Sequence, residues 1–574
     1  MPLWPYVRRR LPGFGAGAAA LVLASAFQLA TPLALRRAVD SLNGPSPGAL
    51  LARYSALFLT LALLQAVFKF FSRQAFLGEG RHVEHDLRRD YFSRLLRLPA
   101  AQIENAKKGD LVSRAMTDLQ DIRMFLGAGV MNFFQTVLLL AVAIVLLWRI
   151  HPGLTVLSLA PFPLLSWLVR RQFPRLHRRY LASNRAAGAM AGLAQEALSG
   201  VRILRAYHRE AWAWERFEAA SLAVRRAEAQ VVRAWAVLFP AVGFLAGLGQ
   251  VVLLAVGGHL VLTERLSLGS FVAFNAYLAM LLWPMVALGW TLGLVQRGGA
   301  ALERLQEVLG APGEPDGDER LPAEGGAAFA ARSVRFSYDG AAPVLSGADL
   351  SLEEGSYCGV VGPTGSGKST LVGLLARLRR AGSGEILVRG VPLERLASGE
   401  LRRYLAVVPQ DDFFFSDTLA ANVLLGRPLD AERLAWALRV ADLSDQVAGF
   451  HRGARTLVGE GGVTLSGGQR QRLSIARAVY GLPKALFLDA ALSSLDAETA
   501  RRVLAGVRRE LPGVTLLVVS HRGSEVDEAD RVHFLLGGAV AAEGRHSELL
   551  SRVPEYLRLY REEELRRELR EAAT

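Results

Sequence analysis

The stretch GVVGPTGSGKST, residues 359–370, decides the fold of the second half of the chain. It follows an apolar run and precedes the helical pattern TLVGLLARL, so we expect a strand, a tight loop and a helix. Residues 362–369 match the glycine-rich loop whose backbone N–H groups surround phosphate oxygens. The N-terminus of the following helix adds positive potential. The stretch therefore predicts a nucleotide-phosphate site in an α/β domain.

Residue types within this loop predict individual roles. Lys368 should reach the β- and γ-phosphates of a nucleotide, and the Ser369 hydroxyl should bind Mg²⁺. The predicted phosphate site comprises Gly362, Pro363, Thr364, Gly365, Ser366, Gly367, Lys368, Ser369 and Thr370.

A second apolar run, KALFLD, ends in Asp489. A buried strand that delivers one carboxylate beside the phosphate loop is the usual way to hold the Mg²⁺ shell. The next residue, Ala490, stands where an ATPase would use a second carboxylate to orient the attacking water. A methyl group has no lone pair, and the neighbouring Ala491 cannot replace it. The sequence therefore predicts a site that binds Mg-ATP and hydrolyses it slowly.

The first half of the chain has the composition of a membrane domain. Of the 574 residues 51% are hydrophobic and the mean hydropathy is +0.24, with the long uncharged runs concentrated before residue 300. A membrane span needs about 20 mostly apolar residues. Six runs meet this need, at about 14–35, 51–72, 124–148, 152–169, 235–262 and 268–296.

Connections between these runs alternate in length. Residues 73–123 and 170–234 form long, arginine-rich segments of helical pattern, and the other connections are short. Basic connections stay in the cytoplasm, so these segments, the N-terminus and the second half of the chain are predicted to be cytoplasmic. Their continuous helical pattern predicts spanning helices that extend well beyond the bilayer.

Charge and cysteine content exclude other classes. The net charge of +14 fits a positive-inside membrane protein, and no basic block is interleaved with aromatics as in nucleic-acid-binding surfaces. We expect no nucleic-acid partner. The single cysteine, Cys358, permits no intrachain disulfide and is expected to be a small core residue. The basic N-terminus is interpreted as an uncleaved segment flanking the membrane.

Composition shifts predict four parts. Residues 1–308 form the membrane domain, and 309–327, rich in Gly, Pro and acidic residues, form a linker. Residues 328–552 form the nucleotide domain. Residues 553–574 carry mixed charges at helical spacing and predict a solvated helix or one that pairs with a partner chain.

The stretch TLSGGQRQRLSIARA, residues 464–478, resembles the signature of ATP-binding cassette (ABC) transporters. Together with the six spans it makes the whole chain similar to an exporter-type half-transporter, with an all-α membrane domain followed by an α/β cassette. In that family two cassettes meet head to tail, and each ATP lies between the phosphate loop of one and the signature of the other. The resemblance implies that Ser466, Gly467, Gly468 and Gln469 contact a partner's ATP.

Other family motifs are matched residue by residue. Tyr338 in VRFSYDG corresponds to the aromatic that stacks on adenine, and Gln410 in VVPQDD to the glutamine that touches Mg²⁺. His521 in VVSHR corresponds to the switch histidine at the γ-phosphate, and Asp496 in SSLD to the loop that signals across the dimer. In VGEGG, residues 458–462, Gly461 stands where an arginine is common. The resemblance thus implies His521, Gln410 and Lys368 as catalytic groups, and Ser369, Gln410 and Asp489 as metal ligands.

The membrane half carries two further matches. Residues 109–123 resemble the first intracellular segment of the family, with a coupling helix expected at about 100–108. Residues 195–210 resemble the second segment, which in this fold crosses to the partner's cassette. The cargo is expected to be hydrophobic or amphipathic, such as drugs, lipids or peptides. This rests on aromatic residues in weakly charged spans, which equally fit packing or lipid contact: Phe133, Phe134, Phe271, Phe274, Tyr277 and Trp283.

The unusual Ala490 beside an intact signature predicts a heterodimer. In exporters with two unlike halves, one half often lacks the catalytic glutamate and supplies its signature to the competent site of the other. Two alternatives remain open. One is a homodimeric exporter in which the alanine was engineered to trap the ATP-bound state. The other is an ATP-gated channel or regulatory protein that transports nothing. Intact coupling segments do not decide between transport and this second alternative.

Overall fold

The computed structural model describes residues 3–43, 47–323, 325–338, 342–459 and 465–561. Contacts divide the chain into two compact units. The first comprises Met1–Leu96 and Lys107–Ala311, and the second comprises Arg97–Ala106 and Pro312–Thr574. The short segment 97–106 therefore packs with the second half of the chain.

The first unit is helical, as predicted. The α-helices up to residue 309 are α1 Trp4–Arg8, α2 Leu11–Asp40, α3 Pro47–Leu95, α4 Ala100–Asn105, α5 Lys108–Ser113, α6 Leu119–Met124, α7 Val130–Ile150, α8 Pro152–Leu159, α9 Pro161–Ser199, α10 Val201–Ala206, α11 Glu210–Val252, α12 Gly258–Leu262 and α13 Leu268–Leu309. Of these, α4 belongs to the second unit. Wider π-helical turns at Arg114–Asp118, Phe125–Gly129 and Leu253–Gly257 interrupt otherwise continuous helices.

Several helices are far longer than a bilayer is thick. Helix α3 has 49 residues, which at 1.5 Å each is roughly 74 Å, against a hydrocarbon core of about 30 Å. Helices α9, α11 and α13 have 39, 43 and 42 residues. The expectation that spanning helices continue well past the membrane agrees with these lengths.

Among the described residues, four helical stretches are long and apolar enough to cross a membrane by length and composition: Leu11–Asp40, Gly48–Leu95, Lys108–Ile150 and Glu210–Leu262. The fourth and sixth predicted spans fall on shorter apolar stretches, Pro152–Leu165 and Leu268–Leu281. In the former the helix is broken between α8 and α9, where Pro161 has no N–H to continue the α8 ladder.

Ion pairs join α13 to the helices that precede α7. The Arg304 guanidinium donates two hydrogen bonds to Asp118, at 2.8 and 2.7 Å, and Asp118 is buried. Arg114 donates to Glu307 at 2.7 Å. These contacts hold α13 against the helical turn at Arg114–Asp118 within the first unit.

The second unit is an α/β domain, as predicted. Its strands are β1 Phe329–Phe336, β2 Leu345–Leu352, β3 Tyr357–Val361, β4 Ser383–Val388, β5 Val391–Pro392, β6 Leu405–Val408, β7 Asp417–Thr418, β8 Leu457–Val458, β9 Ala485–Asp489, β10 Thr515–Ser520, β11 Arg531–Leu536 and β12 Ala539–Gly544. Its further α-helices are α14 Lys368–Leu375, α15 Ser398–Tyr404, α16 Leu419–Leu424, α17 Ala431–Val440, α18 Ser444–Ala448, α19 Gly467–Tyr480, α20 Ala497–Glu510 and α21 His546–Arg552.

A six-stranded sheet in the order β12-β11-β3-β10-β9-β6 forms the centre of this unit. Strands β11, β3, β10, β9 and β6 are parallel, and β12 closes one edge antiparallel. Strands β3, β9 and β10 are buried along their whole length, which explains their mostly apolar sequence. A second, antiparallel sheet has the order β2-β1-β4-β5. Cys358 is buried in the core, as expected.

Candidate nucleotide site

The predicted ATP-handling residues follow the carboxyl ends of neighbouring parallel strands. Strand β3 leads into the phosphate loop, β9 ends at Asp489, β10 ends one residue before His521, and β6 ends two residues before Gln410. Parallel strands bring these ends to one edge of the sheet, where open α/β sheets bind ligands. The topology thus collects residues that are up to about 160 positions apart in the chain.

The phosphate loop has a shape that requires glycine at several places, among them Gly362 and Gly367. Gly367 has φ +99°, and a Cβ there would lie 2.8 Å from Leu345 Cδ2. A Cβ on Gly362 would lie 2.2 Å from the Leu535 carbonyl oxygen. Helix α14 begins directly after Gly367, so its free N–H groups are directed at the loop. A loop of this shape fits the phosphates of a nucleotide.

Lys368 is buried within the loop. Its Nζ donates to the carbonyl oxygens of Gly362 at 2.8 Å and Pro363 at 2.9 Å. Burial lowers the Lys368 pKa to about 8, and the nearby Asp489 carboxylate partly opposes this shift. Phosphate oxygens are a better partner for this ammonium than neutral carbonyls are.

Ser369 and Asp489, both predicted metal ligands, lie within hydrogen-bonding distance of each other. The Ser369 hydroxyl donates to Asp489 Oδ1 at 3.0 Å. Burial raises the Asp489 pKa, while the Ser369 hydrogen bond and the Lys368 charge act to lower it. Two hard oxygen ligands at this separation fit Mg²⁺, which usually takes few protein ligands and completes its shell with phosphate and water. The ion would supply charge neutralisation at the phosphates.

His521, predicted to contact the γ-phosphate, lies beside the phosphate loop. It makes a hydrogen bond with the Gly362 backbone, and burial and the charge of Lys368 lower its pKa. These effects favour the neutral imidazole, whose single N–H is engaged by the Gly362 backbone in this structure. Gln410 is exposed at the same sheet edge.

Tyr338 is held on three sides. Its hydroxyl is hydrogen-bonded to Thr370 Oγ1 at 3.0 Å, Phe336 packs edge-on at 4.9 Å, and the Arg379 guanidinium lies 4.8 Å from its ring centroid. Arg379 also pairs with Glu104 of α4, in the segment predicted to be a coupling helix. Arg379 belongs to no recognisable sequence motif, so its role could not be predicted from the sequence.

The signature begins a helix whose N-terminus is exposed. Ser466 caps α19 by accepting from the Gln469 N–H at 3.2 Å, and the Gln469 side chain accepts from the Ser466 N–H at 2.9 Å. Gly467 and Gly468 approach Ser494 and Leu495 closely. Asp496 caps α20 by accepting from the Thr499 N–H at 2.8 Å, which lowers the Asp496 pKa. The predicted loop at 458–462, with Gly461, lies mostly outside the described residues.

Ala490 occupies a constrained backbone position. Its φ is +50°, its N–H donates to the Val519 carbonyl at 3.0 Å, and its carbonyl accepts from the Ser493 N–H at 3.2 Å. Gln471 of α19 also donates to this carbonyl at 3.3 Å, and to Ser493 Oγ at 3.0 Å. The Gln471 side-chain oxygen accepts from the Ser494 N–H at 2.8 Å. Gln471 thereby ties the signature helix to the loop after Asp489, a link that sequence reasoning missed.

The two predicted coupling segments differ in their contacts. Residues 97–106 belong to the cassette unit, where the Glu314 N–H donates to the Arg97 carbonyl at 2.8 Å. Residues 195–210 belong to the membrane unit and contain the short helix α10. There Leu198, Ile203 and Tyr207 are 75%, 66% and 75% exposed. Such a cluster of exposed apolar side chains is typical of an interaction surface.

The aromatic residues predicted to meet the cargo have different environments. Phe274 and Tyr277 are fully buried, and the Tyr277 hydroxyl donates to the Leu29 carbonyl at 2.6 Å. Phe133 and Phe134 are exposed. The Trp283 side chain lies outside the described residues. Phe274 and Tyr277 therefore pack against neighbouring helices in this structure and do not face an open cavity.

The chain combines a helical membrane unit with an α/β unit that carries a phosphate loop. This combination defines the class of ABC-type membrane ATPases. The family described as ABC transporter transmembrane region matches residues 14–285, and the family described as ABC transporter matches residues 345–493. The chain belongs to the ABC transporters, with the fold of a half-transporter exporter.

Similar proteins span nearly the whole chain. It is 31% identical to the multidrug resistance-like ATP-binding protein MdlA of Escherichia coli, covering 99% of this chain and 97% of that protein. It is 31% identical to the ATP-dependent lipid A-core flippase of Burkholderia orbicola, covering 97% and 94%. A bacterial Atm1-family ABC exporter with ATP bound is similar in structure, with a TM-score of 0.82, 26% identity and coverage of 96% and 98%.

Proposed function

We propose that this chain exports hydrophobic or amphipathic substrates at the expense of ATP, as one half of a heterodimeric ABC exporter. Its own site binds Mg-ATP and hydrolyses it slowly, and its signature serves the competent site of a different partner chain. The observation that carries the proposal is Ala490, a methyl group at the position that follows Asp489. Loss of a general base slows hydrolysis by about 10²–10⁴-fold.

Binding should survive the loss of that carboxylate. The contacts expected to hold ATP involve the phosphate loop, Lys368, Tyr338 and the Ser369–Asp489 pair, none of which depends on the side chain at position 490. ATP then acts by preferring the closed cassette dimer, which shifts the membrane domains toward the outward-open state.

A partner half is supported by surfaces that one chain leaves open. The capped N-terminus of the signature helix is exposed at Ser466. The apolar turn at Leu198, Ile203 and Tyr207 is exposed as well. In the proposed dimer the partner's ATP meets the first surface and the partner's cassette covers the second.

Membrane placement follows from charge. The arginine-rich stretches 73–123 and 170–234 stay on the cytoplasmic side, so the N-terminus and the cassette are cytoplasmic and the chain is a multi-pass protein of the cell's inner membrane. The names of the similar proteins, a multidrug resistance-like protein and a lipid A-core flippase, are in keeping with apolar or amphipathic cargo.

The test is the ATPase rate of the purified chain alone and in complex with a partner half that carries Glu after its strand Asp. We expect near-zero activity alone, restoration in the complex, and its loss on Ser466→Arg in this chain, because that signature serves the partner's site. ATP hydrolysis by the chain alone at a normal transporter rate would contradict the heterodimer proposal. ATP-dependent conductance without substrate-stimulated ATPase would favour the channel alternative.

A further inference from the structure

The residue that follows His521 holds a turn in a different part of the cassette. Arg522 donates from Nη1 to the Leu495 carbonyl and from Nη2 to the Ser493 carbonyl, both at 2.8 Å. These carbonyls lie between β9 and α20, in residues 490–495, which we call the β9–α20 turn. A guanidinium is a rigid planar fork, so two such bonds fix direction as well as distance. Arg522 therefore fixes this turn relative to the end of β10.

A buried carboxylate holds Arg522 in place. Glu525 is 4% exposed, and its Oε1 lies 3.5 Å from Arg522 Nη1. Its Oε2 accepts from the Ser520 hydroxyl, and that hydroxyl accepts from the Arg522 N–H at 2.8 Å. A buried carboxylate needs charged and hydrogen-bonding partners, and Arg522 supplies the positive charge here. The residues on both sides of His521 are thereby tied to one carboxylate.

The β9–α20 turn is held on its other side by the signature helix. Gln471 donates to the Ser493 hydroxyl at 3.0 Å and accepts from the Ser494 N–H at 2.8 Å. Ser493 thus bonds Gln471 through its hydroxyl and Arg522 through its carbonyl. The turn therefore joins the strand end that leads to His521 with the helix that carries the signature.

The contacts of Arg522 suit a role in geometry more than a role in stability. Its side chain is 32% exposed, and hydrogen bonds of such a side chain contribute little net stability, because water competes for the same groups. A misplacement of about 1 Å in a catalytic arrangement, in contrast, can cost about 10²-fold in rate. Loss of the fork should therefore affect hydrolysis more than folding.

We propose that Arg522 is a positioning residue for ATP hydrolysis. It joins the placement of His521 to that of the β9–α20 turn, and so fixes Asp496 and the signature at the surface that meets the partner's ATP. Glu525 keeps the guanidinium in the orientation that this requires. The inference rests on the proposed function, in which hydrolysis takes place at the partner's site.

The experiment measures kcat and KM for ATP with the full chain and its partner half in nanodiscs. Arg522→Gln should lower kcat about tenfold and leave KM within about twofold. The KM should hold because the contacts expected to bind ATP do not include Arg522. Arg522→Lys keeps the charge and can donate to a carbonyl, so it should recover part of the lost rate.

The matched control is Arg501→Gln. Arg501 is an exposed arginine of α20 that donates to a carbonyl of its own helix at 3.2 Å. This variant should leave both constants unchanged, because Arg501 makes no contact with the β9–α20 turn among the described hydrogen bonds.

A double variant keeps the test decisive if the single variant unfolds. Arg522→Gln alone leaves the buried Glu525 carboxylate without its charged partner, which destabilises a fold. Combining it with Glu525→Gln removes both charges, so the double variant should melt at the temperature of the unmodified chain and show the same loss of kcat. An unchanged kcat in the double variant, a rise in KM in place of the fall in kcat, or an equal loss in Arg501→Gln would overturn the inference.

The same constants separate the two proposals. A normal ATPase rate of the chain alone would contradict the heterodimer, and a tenfold loss of kcat on Arg522→Gln in that assembly would still support the positioning role. Activity that requires the partner half but does not change in the Arg522 variants would contradict the positioning role alone.

Discussion

The Arg379 guanidinium lies 4.8 Å from the centroid of the Tyr338 ring and also pairs with Glu104 of α4. One side chain thus connects the aromatic predicted to stack on adenine with the segment predicted to couple the cassette to the membrane domain. A cation over an aromatic face contributes about 0.5–1 kcal/mol at exposed sites.

Arg379→Ala should therefore weaken ATP binding by about two- to fivefold, because Tyr338 loses one of its three supports. Binding of tripolyphosphate, which has no base to stack, should stay unchanged, and so should ATP binding by the exposed neighbour variant Arg380→Ala. Titration calorimetry of the full chain measures both ligands. Equal effects on ATP and tripolyphosphate would contradict a role through Tyr338.

Ala490→Glu should raise the ATPase rate of the purified chain by about 10²-fold or more, because it supplies the missing water-orienting carboxylate. Ala490→Gln is the matched control, since it has the same size without a basic oxygen. Phosphate release with the phosphate loop saturated by ATP is the measurement. No gain from glutamate would mean that another feature of the site limits hydrolysis.

Gln471→Ala should destabilise the cassette by about 1–3 kcal/mol, because the buried Ala490 carbonyl and the Ser494 N–H each lose a side-chain partner. Denaturant titration followed by tryptophan fluorescence gives the change in the free energy of unfolding. Arg470→Ala, one residue away and exposed, should change it by less than about 0.5 kcal/mol. Comparable losses in both variants would show that Gln471 is not a specific link.

ATP affinity should fall as the pH rises above about 8. The folded-state Lys368 pKa is lowered to about 8 by burial, so the ammonium that binds phosphate is lost above that pH. Below pH 8 the Lys368 side chain is already charged, so ATP affinity should not change with pH there. The dissociation constant should rise by up to about tenfold per pH unit, with uptake of one proton per ATP bound. A flat profile between pH 7 and 9.5 would rule out Lys368 as the titrating contact.

The lowered Lys368 pKa also predicts how the stability of the fold depends on pH. Stability should rise with pH, whereas ATP affinity should fall. Because burial lowers the Lys368 pKa from 10.5 to about 8, the unfolded chain binds more protons than the folded chain between these values. The contribution of Lys368 to stability therefore increases with pH across that window. The measurement is the free energy of unfolding of the nucleotide-free chain as a function of pH, compared with that of the Lys368→Met variant.

Asp118→Asn should destabilise the membrane unit by about 1–3 kcal/mol, because the paired Arg304 loses a charged partner while remaining partly buried. The matched control is Asp121→Asn, whose contact with Arg297 is looser at 3.6 Å. Thermal unfolding in nanodiscs compares the two. A larger loss at Asp121 would contradict the assignment of Asp118 as the principal link to α13.

Much of the nucleotide site was predictable from local pattern. Asp489 ends a strand, and the phosphate loop and His521 each follow one. The apolar runs of these strands are visible in the sequence, and parallel pairing then brings the three features together. Long apolar runs likewise predicted most of the spans. The break between α8 and α9 was missed, because hydropathy does not register the N–H that Pro161 lacks.

The sequence by itself determined the family, the order of the two domains, the phosphate loop and the absence of a carboxylate at position 490, because each is a property of adjacent residues. Only the tertiary structure decided the contacts of Arg379 and Gln471. These contacts depend on which distant segments meet, and a lone arginine has the same local sequence whether it faces water, a carboxylate or an aromatic ring.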